Sequence, residues 1–111
     1  MRVIAKLDGT RAPALLVLIV HGAPHRRMHV RVIQEYRKEL LRACAAAGIG
    51  TPIDTTIDLQ VFFVDPCSPD LDNLLVALYQ AMDGATLIPP AVLADDGLIG
   101  AIRGLTKFYT G

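Results

Sequence analysis

"TTIDLQVFFVDPCSPDLDNLLVALYQAMDG", Thr55–Gly84, reads as a strand, a break and a helix in succession, and that order decides the fold class. From Thr55 to Val64, Ile57, Leu59, Val61 and Phe63 alternate with Thr56, Asp58, Gln60 and Phe62, the two-residue period of a strand with one face in a core. Pro66 and Pro69 then break the chain. Leu71, Leu74, Leu75, Leu78 and Met82 recur at helical spacing up to Gly84, forming the apolar stripe of a helix.

Working outward, Ala14–Val20 is an apolar run far shorter than the roughly 20 residues of a membrane helix, and it reads as a buried strand. Val3–Leu7 is a short strand, and Asp8-Gly9 marks the turn of a hairpin that joins the two. His21–His25 reads as a loop. From about Met28 to Ala47, Ile33, Tyr36, Leu40, Cys44 and Ala47 recur at three and four, a long helix that Gly48 stops in the left-handed region. Ala85–Asp96, with Pro89-Pro90, reads as a loop. Leu98–Tyr109 reads as the closing strand, weakened by Gly100 and Gly104. The expected fold is α+β: a mixed sheet of about four strands with two main helices, in a single domain of 111 residues.

A composition that is 52% hydrophobic suits a globular chain rather than a disordered one. No basic opening segment with an apolar core and cleavage site begins the chain, so a reducing cytoplasm is expected, with Cys44 and Cys67 as free thiols. Two isolated cysteines make no zinc site. The formal net charge is zero, which weighs against a general nucleic-acid binder, but the charges are segregated. Arg26, Arg27, Arg31, Arg37, Lys38 and Arg42 crowd one segment, and no Lys or Arg falls between Ala43 and Ile102, where many aspartates lie. That pattern fits either a solvated basic helix beside acidic turns, or a polyanion surface next to an acidic pocket for a cation. His21, His25 and His29 read as surface groups.

Asp70 and Asp72 stand at the mouth of the most apolar helix. Pro69 disfavours the helical region before it and Asp72 suits an N-cap, so the helix is expected to begin at Asn73, with both acids still extended. Residues two apart lie on one side of an extended segment but about 200° apart on a helix, so this start lets both carboxylates face one point. Asp96, in Asp95-Asp96-Gly97, is expected to return to the same end of the sheet. Capping and turn formation are the alternatives for these acids. Three carboxylates without His or Cys form a hard oxygen set for Mg²⁺ or Mn²⁺, ions that typically serve phosphoryl chemistry. An EF-hand is a poor match, because Leu75 and Ala81 occupy the positions of its Gly and Glu.

"DLDNLL" at Asp70–Leu75, "MDG" at Met82–Gly84 and "VLADDGLI" at Val92–Ile99 resemble the signature of the RusA-like Holliday junction resolvases. "IVHGAPHRR" at Ile19–Arg27 resembles that family's early strand and basic loop, and "LTKFY" at Leu105–Tyr109 its closing strand with a lysine. The resemblance implies a Mg²⁺-dependent, structure-selective endodeoxyribonuclease that acts on branched DNA as a homodimer. It places the metal and the chemistry on Asp70, Asp72 and Asp96, with Asn73 in the motif and Asp95 beside it. Arg26, Arg27, Arg31 and Lys107 are the expected DNA contacts. The family carries a lysine four residues after its second motif aspartate, where this chain has Val76. That departure leaves open a junction-binding protein that cuts poorly, and a non-enzymatic α+β interaction module.

Overall fold

The computed structural model describes residues 1–24, 29–67, 69–83 and 91–111, with Asp96 described by its backbone only. Strand β1 (Arg2–Asp8) turns into β2 (Ala14–His21), helix α1 (Val30–Ala46) leads to β3 (Ile57–Val64), and α2 (Leu71–Met82) leads through a 3₁₀ turn at Asp96–Leu98 to β4 (Ile99–Phe108). The four strands form one sheet in the order β1-β2-β3-β4. β1 and β2 are antiparallel, whereas β2, β3 and β4 run parallel. This is the α+β fold with a four-stranded mixed sheet and two helices that the periodicities predict.

Alternation decides which face is buried. Val3 and Ala5, Leu16, Leu18 and Val20, and Leu59, Val61 and Phe63 pack against Tyr36, Leu40, Ala43 and Cys44 of α1 and Leu74, Ala77, Leu78, Ala81 and Met82 of α2. Both helices therefore cover the same face of the sheet. The opposite face carries Arg2, Ile4, Lys6, Val17, Ile19, Phe62 and their neighbours, and no helix among the described residues lies over it. No helix among these residues is long and apolar enough to cross a membrane.

Local chemistry explains the helix ends. Gly48 has φ +73°, its N–H bonds the Ala45 carbonyl at 3.1 Å, and the Ile49 N–H bonds the Cys44 carbonyl at 2.8 Å. These two bonds end α1 in a Schellman motif, with Ile49 buried beside it. Arg37 is 4% exposed and donates from Nε to the Ala81 carbonyl at 2.7 Å and from Nη2 to the carbonyls of Gln80 and Asp83. A buried guanidinium thus satisfies the last turn of α2, where the helix dipole favours a cation. This arginine belongs to the core, not to a polyanion surface.

Two features go beyond the periodicities. Ala91, Val92 and Leu93, read as loop, are buried; the Ile53 N–H bonds the Val92 carbonyl at 2.8 Å and the Leu93 N–H bonds the Met82 carbonyl at 3.0 Å. The glycines of the last strand mark two register shifts against β3, one between Ile57 and Asp58 and one between Leu59 and Gln60. Gly100 sits in a tight spot, since a Cβ there would stand 3.1 Å from Thr56 Cγ2 and that side chain would have to give by a few tenths of an ångström.

Candidate functional site

In a set of parallel strands the carboxyl ends gather the loops and helix starts where ligands commonly bind. Here β2, β3 and β4 end at His21, Val64 and Phe108. Gly22 turns the chain with φ +70°, and its N–H bonds the Val64 carbonyl at 2.9 Å. Asp65 turns it after β3 with φ +47°, a region an aspartate tolerates better than most residues. The Asp65 carboxylate accepts from the hydroxyl and the N–H of Thr110, and these bonds hold its pKa below the usual carboxylate value. Thr110, just past β4, is thereby tied to the turn that follows β3.

The mouth of α2 differs from its expected form. Asp70, not Asp72, is the N-cap: it is extended, at φ −92° and ψ 113°, and its Oδ1 accepts from the Asp72 N–H at 3.0 Å. The helix begins at Leu71 and takes Asp72 into its first turn. Capping at Asp70 adds the Leu74 N–H to Asp70 carbonyl bond and lets Leu71 pack against the core, which a start at Asn73 forgoes. The two carboxylates are both exposed, and Asp70, extended as the N-cap, folds its carboxylate over the first turn to the Asp72 N–H, so the two acids flank the same helix end without sharing one extended segment.

Asp96 lies at the other edge of the sheet. Ile99, three residues after it, pairs with Ile57, whereas Lys107 pairs with Phe63. The span from Ile99 to Lys107 is roughly 25 Å at strand rise. The Leu93 bond to Met82 independently places the Asp95-Asp96 turn at the far end of α2, roughly 18 Å along the helix from Asp70. One chain therefore does not bring Asp96 to Asp70 and Asp72, because β4 runs parallel to β3 and must start where β3 starts. Among the described residues, which leave out the Asp96 carboxylate, no three metal-ligating side chains come together. The Asp95 carboxylate accepts from the Gly97 N–H at 2.9 Å, the local bond of an Asx turn.

Lys107 does reach the mouth of α2: its ammonium donates to the Pro69 carbonyl, next to Asp70. Val76 is 41% exposed and Asn73 is half-buried. Arg31 is exposed in the first turn of α1, on the same edge of the sheet. Arg26 and Arg27 lie outside the described residues. Cys44 is buried in the core, which pushes its thiol pKa up, and Cys67 is exposed; both are free.

One cluster escapes the sequence reading. Asp58, second in β3, is 1% exposed on the face away from the helices. Its Oδ2 accepts from Arg11 Nη2 at 2.9 Å and from Arg103 Nε at 2.8 Å. An aspartate inside a strand whose other polar member is the uncharged Gln60, facing a strand with two glycines, was the available signal. Comparison with known protein families, with curated proteins and with solved structures finds no match for this chain.

Proposed function

We propose that this chain is a Mg²⁺- or Mn²⁺-dependent endodeoxyribonuclease that acts on branched DNA, four-way junctions foremost, as a homodimer. The observation that carries the reading is the meeting of Lys107 with the mouth of α2, where Asp70 and Asp72 are exposed. The three carboxylates of one chain do not fit one ion. A two-fold dimer offers the remaining route, in which Asp70 and Asp72 of one protomer share an ion with the partner's Asp96. When bound, such an ion lowers the pKa of a coordinated water and offsets charge on a phosphodiester.

The chain's own groups then divide the work. Lys107 holds an ammonium at the helix mouth, where the family signature expects one at residue 76 and where exposed Val76 offers only an apolar side chain. Arg31, with Arg26 and Arg27, positions the DNA backbone, contacts that carry no sequence information, so selectivity comes from junction shape. If Lys107 does not replace the missing lysine, the protein binds junctions and cuts them weakly.

The second reading, a non-enzymatic interaction module, draws on the local work of the acids: Asp70 caps a helix and Asp95 closes a turn. A labelled four-way junction and a linear duplex, each incubated with the protein with and without Mg²⁺, separate the readings. Mg²⁺-dependent nicking of the junction supports the nuclease. Tight junction binding without nicking leaves the binding protein, and weak, salt-insensitive binding leaves the module.

A further inference from the structure

We infer that Arg11 and Arg103, gathered over the buried Asp58 carboxylate, form a phosphate-binding fork for a nucleic-acid backbone on the sheet face that no described helix covers. Asp58 holds a surplus of positive charge. One guanidinium suffices to neutralise a buried carboxylate, yet two converge on the same oxygen, with side chains 38% and 54% exposed. Each offers Asp58 one nitrogen, which leaves the other N–H groups of two fixed, planar forks at the surface.

The second guanidinium is there by construction. The register shift between Leu59 and Gln60 leaves Arg103 as the extra residue of β4, since Leu59 pairs with Ile102 and Gln60 with Gly104. A bulge of this kind re-aims one side chain, here toward Asp58. Arg11 arrives from the connection between β1 and β2. Burial of Asp58 holds both arginines in place before any ligand comes, which reduces the ordering needed on binding.

The surrounding charge favours an anion. Alternation puts Arg2 and Lys6 of β1 on this same face, both exposed, so the described face carries Arg2, Lys6, Arg11 and Arg103 against Asp8 and Asp58. Asp8 is occupied by the N–H and hydroxyl of Thr10. A phosphodiester oxygen suits two guanidiniums better than a carboxylate-bearing peptide does, because the forks match its geometry and the duplex repeats the charge along Lys6 and Arg2. The choice of DNA rests on the nuclease reading; the fork itself does not.

The test uses the full chain and two probes. Inorganic phosphate, titrated against ¹⁵N-labelled protein, is expected to shift the Nε signals of Arg11 and Arg103 saturably. Junction affinity, measured at several salt concentrations, is expected to fall about tenfold in Arg103→Gln, with the salt slope reduced by about one. Asp58→Asn is the sharper variant. A merely basic surface binds junctions more tightly once a negative charge is removed, whereas a fork that has lost its anchor binds more weakly. Absence of a saturable phosphate shift, or tighter junction binding by folded Asp58→Asn, overturns the fork. A phosphate shift in a protein that binds no junction upholds the fork and removes the nuclease reading instead.

Discussion

The two ends of the parallel strands carry charge in opposite ways. At the carboxyl ends the acids are outside: Asp70 and Asp72 are exposed at the mouth of α2, and the nearby cation, Lys107, is bonded to backbone. At the amino ends the acid is inside: Asp58 is buried and its arginines face solvent. Burial, not residue count, decides what each end offers to a ligand. Exposed carboxylates keep lone pairs for a cation, while a buried carboxylate spends its charge on holding guanidiniums that face an anion.

The largest expected effect separates chemistry from folding at the carboxyl ends. Asp72→Asn should reduce Mg²⁺-dependent nicking by on the order of 10³-fold, while thermal unfolding shifts little, because the cap is Asp70 and Asp72 contributes only its charge to the helix dipole. Nicking at the parental rate removes the proposed ion from this end.

Next in size is Arg37→Met, which leaves the last carbonyls of α2 without a donor inside the core. Denaturant titration should register a loss of about 3 kcal/mol, near the cost of stripping a charged donor from buried acceptors. A loss below about 1 kcal/mol would mean that water replaces the guanidinium and that the far end of α2 is looser than its burial indicates.

A smaller effect separates the cap at Asp70 from the metal role proposed for it. Asp70→Ala removes the cap and should cost about 1 kcal/mol of stability, whereas Asp70→Asn keeps a side-chain acceptor and should cost a few tenths. Both should lose nicking. Equal stability of the two variants would deny the capping geometry.

The smallest concerns pH and serves as a control away from both ends. Tyr36 is fully buried, its hydroxyl has no hydrogen-bond partner among the described residues, and burial raises its pKa above the ordinary 10.0. Above about pH 10 the unfolded chain releases this proton while the folded chain retains it, so stability falls as pH rises. Tyr36→Phe should flatten that decline in alkaline thermal melts. An unchanged decline would assign it to other groups.

Much of the fold was legible because periodicity reports which face of an element is buried. The alternation of Ile57, Leu59, Val61 and Phe63 and the stripes of both helices have their counterparts in the core. The site was less legible. Choosing Asp70 over Asp72 as the cap depends on Leu71 packing against the core, a tertiary contact that local propensity does not contain. The displacement of Asp96 follows from strand direction: once β3, α2 and β4 form a parallel unit, a residue just before β4 must stand at the opposite edge from one just after β3. Arg37 was readable in hindsight, since it falls four residues after Ile33, inside the apolar stripe rather than beside it.

Complementation tests the account most directly. Asp72→Asn and Asp96→Asn chains, each inactive alone, are combined so that mixed dimers form, and Mg²⁺-dependent nicking of a four-way junction is measured. If the ion is shared across the two-fold axis, each mixed dimer holds one site with both mutations and one site with neither, so the mixture recovers about a quarter of the parental activity. If mixed dimers form, bind the junction and recover no nicking, the carboxylates act within one chain or not at all, and the shared-site account is wrong.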